Sequence, residues 1–207
     1  MNRAVQEDLV LAAVLDNPIN AAILDVLSDD VLPGWYLTAG CVCQAVWNRL
    51  TGRPPSYGVG DYDVFYFDAS DLSYEAEDAA IRRTLALPGM PPGAVVEIRN
   101  QARVHLWYEQ RFGVACLPLH STEDGIDQFL TRSMAVGVRR ERTCSMTVYA
   151  RDGLDDLLAM RIRPNLVEGR KRLYEAKASS LQVRWPELSI EPWPEEATGR
   201  PVQRRAT

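Results

Sequence analysis

The chain has 207 residues, of which 46% are hydrophobic and 25% charged, with a formal net charge of −5. That balance suits one globular domain with flanking elements. The acidic excess and the lack of a long basic run argue against general nucleic-acid binding, leaving room for a local basic pocket.

The N-terminal string MNRAVQEDLV has no apolar leader core, and no apolar run approaches the ~20 residues that span a bilayer, so no membrane role is expected. Residues 4–30 carry apolar positions at helical spacing, and Asp16-Asn17-Pro18 divides them into two helices. A short apolar strand over 35–39 ends at Gly40, and a helix over 41–50 follows. The string TGRPPSYGVG, 51–60, reads as loop. The segment 61–68, DYDVFYFD, is rich in aromatic and β-branched residues and reads as a strand. A helix over 74–86 has Asp71 and Ser73 as possible caps, acids in its first turns and Arg82 and Arg83 near its end. LPGMPPG stops it, and a second strand, 94–98, precedes a helix running through Trp107 and Tyr108. Ser121 to Asp124 starts a short helix ending near Leu130. Strands are expected over 134–138 and 144–149, a helix capped by Asp152 after them, and a last helix over 166–183. Prolines and charges dominate from Trp185 onward, which reads as an extended or mobile tail. The resulting organisation is an N-terminal helical segment (1–34), a central domain (35–184) and a tail (185–207). The order of elements indicates an α+β or mixed α/β domain around a small sheet, with strand order open.

Four cysteines (Cys41, Cys43, Cys116, Cys144) form no C-x-x-C pair, and only His105 and His120 could assist them. Zinc-ligand spacing is therefore missing, and a reduced, cytoplasmic setting is expected.

Chemistry is best sought at Asp61 and Asp63. Alternation along a strand places both on one face, about 7 Å apart, and a divalent cation is the commonest reason to build such a pair. Glu97, flanked by Val96 and Ile98, would complete a three-carboxylate cluster if its strand lay beside theirs. Such clusters hold two Mg²⁺ ions in phosphoryl transfer. Gly40 stands at a strand-to-helix turn where a phosphate could approach backbone N–H groups at a helix start. Arg99 and Arg103 follow Glu97 closely enough to neutralise a triphosphate, although solvated or ion-paired arginines are the ordinary case. Taken singly, each of these features has a bland reading as a surface acid or an ordinary turn.

The ordered strings Ala39-Gly40-Cys41, Asp61-Tyr62-Asp63 and Val96-Glu97-Ile98 resemble the nucleotidyltransferase superfamily with the DNA polymerase β-like fold. AGCVCQAVWNRLTG, GDYDVFYFD, EIRNQARVHLWY, AVGVR and LDDLLAMRIRPN extend the likeness to a bacterial nucleotidyltransferase-like family over roughly 35–178. The resemblance implies a small mixed sheet with flanking helices and metal-dependent transfer of a nucleoside monophosphate from an NTP. By position, Asp61 and Asp63 would bind both metals, Glu97 would bind the catalytic one and help activate the acceptor, and Gly40 would admit the triphosphate. Cys41 stands where many members have serine, and Glu97 where aspartate is commoner. The acceptor stays open between a small molecule, an RNA end and a protein hydroxyl, with the acidic balance favouring a small molecule or protein over a long nucleic acid; oligomeric state is not readable. The alternatives are a degenerate member that binds a nucleotide or protein partner without turnover, and a phosphohydrolase or nuclease sharing the three acids.

Overall fold

Five strands form one mixed sheet in the order β3-β2-β1-β4-β5: β1 (Tyr36–Thr38), β2 (Tyr62–Tyr66), β3 (Val96–Asn100), β4 (Val136–Arg140) and β5 (Met146–Ala150). The computed structural model describes residues 1–167 and 170–195. Within this sheet β2 and β3 run parallel; β1 is antiparallel to both β2 and β4, and β4 to β5. The parallel pair needs a crossover, supplied by α4 (Tyr74–Leu85), whose first turn is capped by Ser73 Oγ accepting from Ala76 N–H at 3.2 Å.

Alternation sorts the sheet into two faces. Tyr62, Val64 and Tyr66 of β2 are buried, while Asp63 and Phe65 between them are half-exposed. The buried face meets α1 (Arg3–Asp16), α2 (Pro18–Val26) and α3 (Gly40–Leu50), with Val10, Val14, Ile23, Leu24, Trp35 and Trp47 fully buried. Asn17 breaks α1 from α2 as expected: its side chain accepts from Ile19 and Asn20 N–H, and Pro18 takes the first position of α2, where a missing N–H costs nothing. The two helices bend by 101°, and among the described residues no single helix is long and apolar enough to cross a membrane.

Several boundaries differ from the sequence reading. The helix expected through Trp107 is a 3₁₀ segment, Gln101–Leu106, followed by a short α5 (Tyr108–Phe112). After α6 (Thr122–Ile126), the short helix α7 (Asp155–Leu158) starts at Leu154 without a side-chain cap, so Asp152 does not cap it. The last helix, α8, spans Lys171–Arg184. The tail expected from Trp185 needs the largest correction. Trp185 is fully buried, Leu188 and Trp193 are nearly so, and β7 (Ser189–Ile190) pairs in parallel with β6 (Arg161–Ile162). Three large apolar side chains outweigh the local Pro and charge content. Residues 196–207 of that expected tail lie outside the described residues.

Candidate active site

Strand register brings the acids together. Asp63 is the Cα partner of Glu97 across the parallel β2–β3 pair and of Thr38 across β1–β2. Directly opposed residues share a face, so Asp63 and Glu97 project side by side from the same face of the sheet, the one on which Tyr36 and Phe65 pack with Ile126 of α6 and Phe129. β2 begins at Tyr62, so Asp61 is the last, exposed residue of the preceding loop rather than a strand residue.

The electrostatics follow from this crowding. Burial, then the charges of Asp61 and Glu97, raise the Asp63 carboxyl from 3.8 to about 7, against a downward pull from Lys177 and then Arg99. Burial, then Asp63, push the Cys41 thiol well above its ordinary value. Glu97 Oε2 accepts from Arg99 Nη2 at 3.1 Å, so Arg99 already neutralises one of the three acids. As the side chains stand, no three His, Cys, Asp or Glu residues among those described converge on one ion position. The donor set nevertheless fits Mg²⁺: three hard carboxylates, two of them paired in register, and one held protonated to about neutral pH by the others and by burial. For Glu97 to serve as a ligand, its Oε2 would have to leave Arg99.

The turn before α3 is distorted in a telling way. Ala39, at its N-cap, has φ 59° and ψ −133°, a conformation that costs a non-glycine residue on the order of 1–3 kcal/mol. No side chain caps α3 among the described residues and no acid lies in its first turn, so no side chain offsets the positive end of its dipole. Gly40 serves a neighbour as well. A Cβ there would lie 2.8 Å from Gln44 Nε2, so the missing side chain makes room for the Gln44 amide, whose buried Oε1 has no partner among the described residues. Cys41 Sγ donates to Thr38 O at 3.0 Å.

Arg103 is placed elsewhere. It forms a buried ion pair with Glu77 of α4, donates from Nε to Leu72 O at 2.9 Å and packs over the Tyr74 ring. One residue that sequence reasoning passed over, Lys177 of α8, is half-buried and pulls the Asp63 carboxyl down more than Arg99 does. The signal was its position one residue before Ala178 in the buried Tyr174–Ala178–Leu181 stripe of α8, which a helical reading of 166–183 contained but did not orient.

A parallel strand pair bearing the acids, joined through an antiparallel strand to a glycine turn at a helix start, defines the polymerase β-like nucleotidyltransferase fold. The chain belongs to the nucleotidyltransferase family, whose sequence pattern matches residues 26–190. It is similar, at 27% identity and a TM-score of 0.71, to an NMR structure described as revealing a CCA-adding enzyme head domain, over 89% of this chain and 95% of that one. No curated protein matches the chain.

Proposed function

We propose that the protein transfers a nucleoside monophosphate from an NTP to a hydroxyl-bearing acceptor, a small molecule or a protein, in a Mg²⁺-dependent reaction at Asp61, Asp63 and Glu97. The observation that carries this reading is the register pairing of Asp63 with Glu97. Asp61 and Asp63 would hold two ions and Glu97 one of them. Bound there, the ions supply charge neutralisation on the triphosphate and activation of the attacking oxygen. The N-terminus of α3 binds phosphate oxygens through backbone N–H groups, and Lys177 pairs with the same phosphates. Arg99 exchanges its contact with Glu97 for one with the nucleotide, while Arg103, committed to Glu77, stays structural. The acceptor oxygen forms a bond to the α-phosphorus, the bond to the bridging oxygen breaks, pyrophosphate leaves, and Glu97 assists loss of the hydroxyl proton. The formal charge of −5 disfavours a long nucleic acid as acceptor.

The test is transfer of a labelled nucleotide across an acceptor panel. Asp63→Ala should cut transfer roughly 100- to 1000-fold with the circular dichroism spectrum retained; unchanged transfer overturns the assignment. A second reading, nucleotide binding without transfer, is favoured by Cys41, whose buried thiol is turned to Thr38 O where a serine hydroxyl would meet phosphate. Calorimetry separates the two: tight NTP binding with no turnover on any acceptor supports the second.

A further inference from the structure

The loop that ends at Asp61 is held from outside the catalytic sheet, by the segment that follows α8. Trp185, fully buried, packs edge-on against Tyr57 at 5.7 Å and against Trp47 at 5.6 Å. Its indole N–H donates to Asn48 Oδ1 at 2.9 Å. The Asn48 amide uses its Nδ2 to donate to two loop carbonyls, Pro55 O at 3.2 Å and Tyr57 O at 2.9 Å. Asn48 is itself fully buried, and both ends of its amide are engaged: one holds the loop, the other holds Trp185. Further fastenings lie on either side. Arg184 Nη1 donates to Gly58 O at 2.8 Å, and Arg53 pairs with Glu187 at 2.9 Å. The fit is close enough that a Cβ on Gly58, whose φ is +71°, would meet the Trp185 ring at 2.6 Å.

We propose that Trp185 and Asn48 are positioning residues that set Asp61 against Asp63. The reasoning is geometric. Asp61 lies outside β2 and has no ladder hydrogen bond to fix it. Tyr62 is the first residue tied to a neighbouring strand, through its N–H to Val95 O at 2.9 Å. The backbone from Arg53 to Gly60 therefore decides where the Asp61 carboxylate lies, and that backbone is fastened to Asn48 of α3 at Pro55 and Tyr57, and to Arg184 and Trp185 at Gly58 and the Tyr57 ring. Support of a metal ligand from outside the ligand set is worth about 10- to 100-fold in metal affinity. This proposal rests on the site reading above for Asp61's role, whereas the fastening itself does not.

The test uses the full chain and two readouts. Amide hydrogen exchange without metal reports the fastening alone. Gly58→Ala and Trp185→Phe should speed exchange across 57–62 while leaving β4 and β5 protected. Unchanged exchange at 57–62 in both variants overturns the proposal. Mn²⁺ affinity, measured by electron paramagnetic resonance, reports the consequence. Gly58→Ala should weaken Mn²⁺ binding about tenfold, and adding it to Asp61→Asn should cost nothing more, because the loop would have no ligand left to place. A full additional loss in that double variant overturns positioning through Asp61. If Asp61→Asn and Asp63→Asn leave Mn²⁺ binding intact, the site reading fails and takes the positioning role with it, although faster exchange would still show the fastening. If Trp185→Phe does not fold, Arg184→Met, at the edge of the contact, provides the same exchange measurement.

Discussion

Two groups of charge flank strands β2 and β3 and are opposite in design. At the C-terminal end of β3, Glu77 of α4 and Arg103 of the 3₁₀ segment are each 8% exposed and paired: Glu77 accepts from Arg103 and from Asn100 N–H at 2.8 Å, and Arg103 also donates to Leu72 O. In the second group, Asp61, Asp63 and Glu97 crowd together with Arg99 and Lys177 as partial compensation, and Asp63 is displaced to about 7. In the first group the opposite charges meet and both Glu77 carboxylate oxygens accept a hydrogen bond, as buried charge requires. The second leaves like charges crowded and only partly compensated, which is the arrangement the proposed cation binding would relieve. Arg99 and Arg103, four residues apart and alike in sequence, fall on opposite sides of this division.

The largest effect should come from breaking the paired group. Arg103→Met leaves Glu77 buried without its partner and should cost about 3–5 kcal/mol, lowering the melting temperature by on the order of 10 °C, with transfer per folded molecule close to wild type. Chemical denaturation and calorimetry measure it. Breaking the crowded group should act in the opposite direction. Because the Asp63 pKa is raised above its unfolded value, the folded state binds the extra proton; metal-free stability is highest below about pH 4 as far as this group is concerned and falls as pH rises to about 7. Asp63→Asn should remove that dependence and stabilise the metal-free protein at pH 8 by roughly 2–4 kcal/mol, while Mg²⁺ should restore much of the same stability to wild type alone. Melting curves at pH 5 and pH 8, with and without Mg²⁺, decide the matter. The smallest effect is expected at Lys177. Lys177→Met should raise KM for NTP about tenfold, or 1.4 kcal/mol, with kcat less affected, and shift Asp63 titration upward. A loss confined to kcat would move Lys177 from phosphate binding to the chemical step.

Local signals carried much of the fold. The Asn17-Pro18 break, the Ser73 cap and the alternation of β2 are all short-range physics, and each is where the sequence placed it. What depended on distant partners was not legible. Register between β2 and β3 comes from the α4 crossover and the strand ends, so the adjacency of Asp63 and Glu97 followed from family likeness rather than from spacing. β3 begins at Val96 and continues to Asn100, two residues beyond the expected end, because Arg99 and Asn100 still pair with Phe65 and Tyr66 of β2. The C-terminal segment misled for the converse reason. Its prolines and charges describe the local chain, whereas Trp185, Leu188 and Trp193 describe what it packs against. Lys177 was equally invisible, since a lysine on a helix acquires meaning only when the helix is laid over the acids.

Under the proposed function, the bent backbone at Ala39 bears on how fast, and not only how well, a triphosphate is received. With φ at 59° the turn is already in the unfavourable shape before any ligand arrives, so the ordering penalty is settled during folding and association need not wait for a loop to rearrange. A glycine at the same position would relieve the strain and let the turn wander, trading a rigid receptor for a more stable but slower one.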